Sequence, residues 1–214
     1  MHMAIQLLGL ALCAPASLGQ GSLEPIKVAF EGPPYLPLGS VVTERAYYES
    51  GIYFRGLGYG FTRVAGGRST RPENGTAYLA AALGDSLVFS FTNGSLFSLT
   101  AVDLAEYSTV VPDAVTVHFV GYRADGSVVM ADLATDGIID GTGPIADFQT
   151  FTFGPEFANL SRVEIPTYGW SLDNLHLTRN IPEPSSPALF LTGVLFCFVR
   201  FLSRRVSLSG NCES

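Results

Sequence analysis

Strict alternation is what most limits the folds open to this chain. In SLVFSF, residues 86–91, Leu87, Phe89 and Phe91 fall on one face and Ser86, Val88 and Ser90 on the other. That is the period of a strand with one buried face, not of a helix. Asn93-Gly94 follows as a hairpin signal. LFSLTAVDL, 96–104, then resumes the alternation with Phe97, Leu99 and Ala101, so the two runs are expected to pair antiparallel.

The pattern recurs along the chain. AVTVHFVGY puts Val115, Val117 and Phe119 on one face, Ala124-Asp125-Gly126-Ser127 makes a turn, and VVMADL returns. IKVAF, SGIYF and GTAYLAAAL precede these runs, and FQTFTF, SRVEI and WSLDNLHLT follow them. Most are bounded by Gly, Pro, Asn or Asp. Nine or more short strands at this spacing predict an all-β domain over 20–179, a jelly roll or β-sandwich. Residues 55–75 are Gly-rich without sustained period, which predicts a long surface loop rather than a strand near 59–64. Charged residues make up only 14% of the chain, too few for long solvated helices.

Charge and cysteine usage exclude several functions. Acidic residues outnumber basic ones 19 to 12, and Arg200, Arg204 and Arg205 sit in the C-terminal tail. The body therefore offers no basic face to a phosphate backbone, and nucleic acid is not an expected partner. Cys13, Cys197 and Cys212 all lie near the ends. The body thus has no disulfide framework, thiolate zinc site or cysteine nucleophile.

The two ends read as addresses rather than fold. Residues 4–14 are apolar except for Gln6, and small residues follow, which predicts a signal peptide over 1–19. The tail, 180–214, opens with Pro182-Glu183-Pro184 and continues into an apolar run over 188–199 broken by Thr192 and Gly193. As a helix that run rises only about 18 Å, short of the roughly 30 Å hydrocarbon core. Spanning requires Arg200 to snorkel and the helix to extend over 185–202.

The Pro-Glu-Pro triplet, the apolar run and the closing arginines resemble the PEP-CTERM sorting signal of bacterial exported proteins. The resemblance, confined to the tail, implies that an exosortase, a membrane cysteine transpeptidase, recognises Pro182, Glu183 and Pro184 and removes the tail. Arg204 and Arg205 then form the stop-transfer end, and the hydrophobic helix anchors the chain in the membrane before processing. Independently of any family, two prolines keep this segment extended, as a processing enzyme's cleft requires.

The body resembles a galactose-binding-like jelly roll at YESGIYF and WSLDNLHL. Alternation in the second segment sets Asp173 on the face of Leu175 and Leu177, where a carboxylate needs backbone donors or a cation. The resemblance implies a structural Ca²⁺ held by Asp173 with a carboxylate near the first strand, Glu31 or Glu44. The alternative is that Asp173 simply caps the strand through backbone amides. Asp136-Gly137 and Asp140-Gly141 lack the spacing of a calcium loop and read as consecutive turns.

Catalysis has little support in the residues. His118 and His176 are the only histidines of the body, each in a strand, without a Gly-x-Ser-x-Gly elbow or a metal-binding His pair. Aromatic platforms for sugar are Tyr53, Tyr59, Phe61, Tyr122, Tyr168 and Trp170, of which Tyr59 and Phe61, in the Gly-rich stretch, are preferred. The expectation is an exported, non-enzymatic protein of the cell surface or extracellular matrix. A carbohydrate-binding module that grips extracellular polysaccharide is the alternative, and a polysaccharide hydrolase comes third.

Overall fold

The computed structural model describes residues 22–67, 70–82, 84–108, 113–138 and 147–181. The expected signal peptide, Pro182, Glu183, Pro184, the apolar run, Arg204 and Arg205 lie outside the described residues. Thirteen strands follow in chain order: β1 Ser22–Val28, β2 Val41–Glu44, β3 Ala46–Glu49, β4 Ile52–Gly58, β5 Phe61–Val64, β6 Tyr78–Ala81 and β7 Asp85–Phe91. After them come β8 Phe97–Glu106, β9 Thr116–Arg123, β10 Val128–Ala134, β11 Gln149–Thr152, β12 Leu160–Ile165 and β13 Trp170–Ile181. A 3-10 turn, Pro155–Phe157, is the one helical segment among the described residues. Among them no helix is long and apolar enough to cross a membrane.

The strands form a hydrogen-bonded path β2-β5-β6-β13-β8-β12-β7-β4-β3, with β1 on β13, β11 on β8, and β9 and β10 extending from β12. Apart from a second, smaller buried cluster of Val64, Tyr78 and Ala80, the path doubles over the main apolar core. Phe61, Leu79, Leu99, Leu104, Trp170, Leu172, Leu175 and Leu177 reach it from one layer, and Ile52, Phe54, Phe89, Phe119, Val163 and Ile165 from the other. This all-β arrangement is consistent with the expected β-sandwich or jelly roll. Alternation is clearest in β7, where Leu87, Phe89 and Phe91 are buried and their neighbours are not.

Asn93-Gly94 does not close a hairpin between β7 and β8. Strand β7 pairs with β4 and β12, whereas β8 pairs with β13 and β11. The turn carries the chain from one layer to the other. Phe91 meets Phe97 edge-on across it, with centroids 5.6 Å apart at 69°, and that aromatic contact replaces the expected ladder.

The Gly-rich stretch also departs from expectation, because it holds the end of β4 and all of β5. β3 pairs with β4 and β2 with β5, so one long hairpin, turned at Ser50-Gly51, starts in one layer and ends in the other. Its glycines serve the corner between the layers. A Cβ on Gly58, where φ is +79°, would meet the Gly84 carbonyl at 2.3 Å, and one on Gly60, φ +125°, would meet the Glu44 carbonyl at 2.4 Å. Only glycine permits that approach of backbone to backbone.

Candidate functional site

Strand β13 carries a change of register that moves its acidic residue. Asp173 pairs with Asp103 of β8, the next pair is His176 with Ala101, and the one after is Leu177 with Leu99. One extra residue on β13 at Asn174, whose φ is +46°, is thus balanced by one on β8 at Thr100. Leu172, Leu175 and Leu177 all enter the core, and Asp173 turns to the opposite face beside Ser171. The sharing of a face with Leu175 and Leu177 expected from simple alternation is therefore corrected by the bulge.

Asp173 is nonetheless 0% exposed, because segment 71–77 lies across this outer face. Its Oδ1 accepts the Asn174 amide at 2.6 Å, and its Oδ2 accepts Asn74 Nδ2 at 2.5 Å and Thr76 Oγ1 at 2.8 Å. The segment is pinned further by the Glu73 amide, which donates to Asp147 at 2.8 Å. Desolvation pushes the Asp173 carboxyl up to about 7, and the Asp103 charge adds to that rise against the lowering effect of its three donors. No cationic side chain pairs with it among the described residues.

Glu31 reaches the same segment. Its Oε1 accepts the Ala77 amide at 2.6 Å, one residue from the threonine that holds Asp173. Hard oxygens of Glu31 and Asp173 with the amide and hydroxyl oxygens of 74–77 are a donor set that suits Ca²⁺, and a buried carboxylate without a counter-charge is what such an ion would compensate. Glu44 does not belong to that set. It pairs with Arg63 at 3.0 Å, and Arg63, 1% exposed, also donates to the Gly32 and Pro34 carbonyls and lies 4.5 Å above the Tyr47 ring. A buried guanidinium needs this carboxylate for itself. Among the described residues no three His, Cys, Asp or Glu side chains converge as a metal cluster. Asp136 accepts the Ile138 amide at 2.9 Å and forms the expected turn, while Asp140 lies outside the described residues.

The aromatic candidates divide sharply. Phe61 and Trp170 are both 0% exposed core residues, the Trp170 indole donating to the Thr167 carbonyl at 2.7 Å. Alternation in β5 turns Phe61 inward, so it offers no platform, which corrects the preference given to it. Tyr59 is 77% exposed on the corner turn beside Gly84, and Tyr168 is also exposed. Tyr53 and Tyr122 share the outer face of the layer β3-β4-β7-β12-β9-β10.

Register defines that face. One row across the strands is Tyr48, Tyr53, Ser90, Arg162, Tyr122 and Val128, and the next is Ala46, Arg55, Val88, Glu164, Val120 and Met130. Tyr48 and Tyr53 stack with centroids 4.5 Å apart at 19°, and the Arg162 guanidinium lies 3.8 Å above the Tyr122 ring. Strand β7 contributes only Ser86, Val88 and Ser90 to this face, while β4 and β12 on either side bear Tyr53, Arg55, Arg162 and Glu164. Small residues between large ones make a groove along β7. Its walls stand two strand spacings, or roughly 10 Å, apart. Tyr48, Arg55 and Arg162 were not singled out from the sequence. The cue was available, since alternation in AYYE, IYFR and SRVEI turns Tyr47, Phe54 and Val163 inward and these residues outward.

The histidines are divided between the layers. His118 Nδ1 lies 2.5 Å from Asp132 Oδ1, and His176 sits at the β13–β8 register shift. A second concavity at the tip of the domain is lined by Leu96, Arg123, Asp125, Pro155 and Asn159.

No protein-family model and no curated protein sequence matches the chain. Among solved structures it is similar to the family 11 carbohydrate-binding module from Clostridium thermocellum in complex with a β-1,3-1,4-mixed-linked tetrasaccharide, at 10% identity and a TM-score of 0.31, over 74% of this chain and 98% of that one.

Proposed function

We propose that this chain is an exported, non-enzymatic protein whose β-sandwich binds polysaccharide along the groove over β7. The observation that supports it is the row Tyr48, Tyr53, Ser90, Arg162 and Tyr122. Sugar rings have apolar C–H faces, and Tyr53 on the β4 wall, backed by its stack with Tyr48, offers a stacking surface along the groove. Serine at the floor and arginine and glutamate on the walls supply hydroxyl recognition. The reading is tested with the full chain on a panel of soluble polysaccharides in affinity gels. At least one polysaccharide is expected to retard it, and Tyr53→Ala is expected to weaken that retardation at least tenfold. Loss on Tyr59→Ala instead would move the site to the corner turn.

Ca²⁺ belongs to this reading as a structural ion held by Asp173 and Glu31. When bound it would supply the positive charge that the buried carboxylate lacks and tie segment 71–77 to β13. Export and sorting rest on the terminal segments: the signal peptide delivers the domain across the membrane, and an exosortase-like transpeptidase acting at Pro182-Glu183-Pro184 releases it to the cell surface or matrix. Mass spectrometry of the mature protein is expected to find both ends removed, and an intact tail in the mature form would contradict the sorting role.

A further inference from the structure

We propose that the groove over β7 selects acidic polysaccharides, those carrying uronate carboxylates or comparable anionic substituents; this rests on the glycan-binding reading above. The inference comes from two arginines. Arg55 on the β4 wall and Arg162 on the β12 wall stand one row apart on opposite sides of the Val88 and Ser90 floor. Both are exposed. Of the other described arginines, Arg63 pairs with Glu44 and Arg179 with Glu24, Arg71 donates to Tyr107 and Arg123 to the Glu156 carbonyl, and Arg45 is exposed without an ion pair. Neither Arg55 nor Arg162 makes an ion pair among the described residues.

Arg55 and Arg162 are set apart by their place: in a chain with 19 acidic and 12 basic residues, both are exposed guanidinium groups on the face that also carries Tyr48, Tyr53 and Tyr122, where they offer an anion its partners. Arg162 is already held in place by its contact with the Tyr122 ring, which leaves its N–H edge available. A guanidinium presents parallel N–H donors that match a carboxylate bidentately. A polymer lying in the groove meets Tyr53 and Arg162 in one row and Arg55 in the next, so it finds a ring to stack on and a guanidinium on each wall within two rows. Glu164, the one carboxylate in these rows, accepts the Tyr122 hydroxyl at 3.3 Å. It sets the limit on affinity by opposing the anion.

The probes are polygalacturonate and its fully methyl-esterified form, which share a backbone and differ in charge, with a neutral β-glucan as a third polymer. Affinity gels with the full chain are expected to show at least tenfold tighter binding to polygalacturonate than to the ester, weakening as salt rises. Arg55→Gln with Arg162→Gln is expected to remove that difference, weakening binding to polygalacturonate at least tenfold more than binding to the ester. Glu164→Gln is expected to strengthen binding to polygalacturonate. Equal affinity for charged and esterified polymers, or binding to the neutral glucan alone, overturns the acidic preference and leaves the glycan-binding reading standing. Failure to bind any of the three, and any member of the wider panel, overturns that reading itself.

Discussion

Asp173 and Asp103 lie directly opposite each other across the β13–β8 ladder, and Asn174 joins their carboxylates, its amide N–H to Asp173 and its side-chain Nδ2 to Asp103, each at 2.6 Å. Thr150 completes the Asp103 shell at 2.6 Å. Two like charges paired in a sheet are costly, and this pair persists because a left-handed residue at a bulge turns two donors toward it. The arrangement fixes which side of β13 faces the core.

Burial of Asp173 makes stability depend on pH with a definite sign. Its carboxyl is pushed up to about 7 in the folded protein, above the unfolded value near 3.9. The folded state therefore holds the proton more tightly, and the contribution is full below about pH 4 and lost as pH rises toward 7. At about 1.4 kcal/mol per unit, the ion-free protein is expected to lose on the order of 4 kcal/mol across this window relative to Asp173→Asn. Urea unfolding of both proteins from pH 4 to 8 checks it. Parallel curves would contradict it.

Calcium is expected to cancel that loss. Added Ca²⁺ should raise the Tm of the ion-free protein at pH 7, and a chelator should reverse the rise. Glu31→Gln and Asp173→Asn should abolish the calcium-dependent shift. Glu44→Gln should lower the Tm by unpairing buried Arg63 and leave the shift in place. A shift that survives in Asp173→Asn would place the ion elsewhere.

Two aromatics close in sequence are expected to behave oppositely. Phe61→Ala opens a cavity in the core and should cost about 3–5 kcal/mol. Tyr59→Ala, on the exposed turn, should stay within about 0.5 kcal/mol of the parent. Chemical denaturation of the two variants tells them apart.

The corner glycines give a graded test of the bent hairpin. Gly58→Ala combines a positive φ with a clash against the Gly84 carbonyl and should cost about 3 kcal/mol or more. Gly126→Ala, at φ +86° in open space, should cost only about 1 kcal/mol of backbone strain. Equal losses would mean that the corner is not closely packed.

Alternation made the strands β7, β9 and β10 legible, because each keeps one parity from end to end. It failed where parity changes. The bulge at Asn174 and the extra residue at Thr100 leave no mark in the hydrophobic pattern, so Asp173 was set on the wrong face and the face of Phe97 and Leu99 was run on to Ala101, although Val102 and Leu104 are the core residues. Glycines at 56, 58 and 60 looked like a loop because turn chemistry and close backbone packing call for the same residue. Asn93-Gly94 made a turn as expected, but a local signal cannot say whether the next strand pairs with the last or passes to the other layer. The aromatic row was only half legible. Tyr48 and Tyr53 face each other across one tight hairpin, but Tyr122 joins their face only through pairings between strands distant in the chain.

Chemical-shift mapping tests the central claim most directly. Amide and side-chain resonances of the isotope-labelled protein, followed during titration with the polysaccharide that retards it best, should move at Tyr48, Tyr53, Ser90, Arg162 and Tyr122 and stay still at Tyr59 and in the tip cleft of Arg123 and Asp125. Shifts confined to the corner turn or the tip cleft, with the β7 groove unchanged, would contradict it.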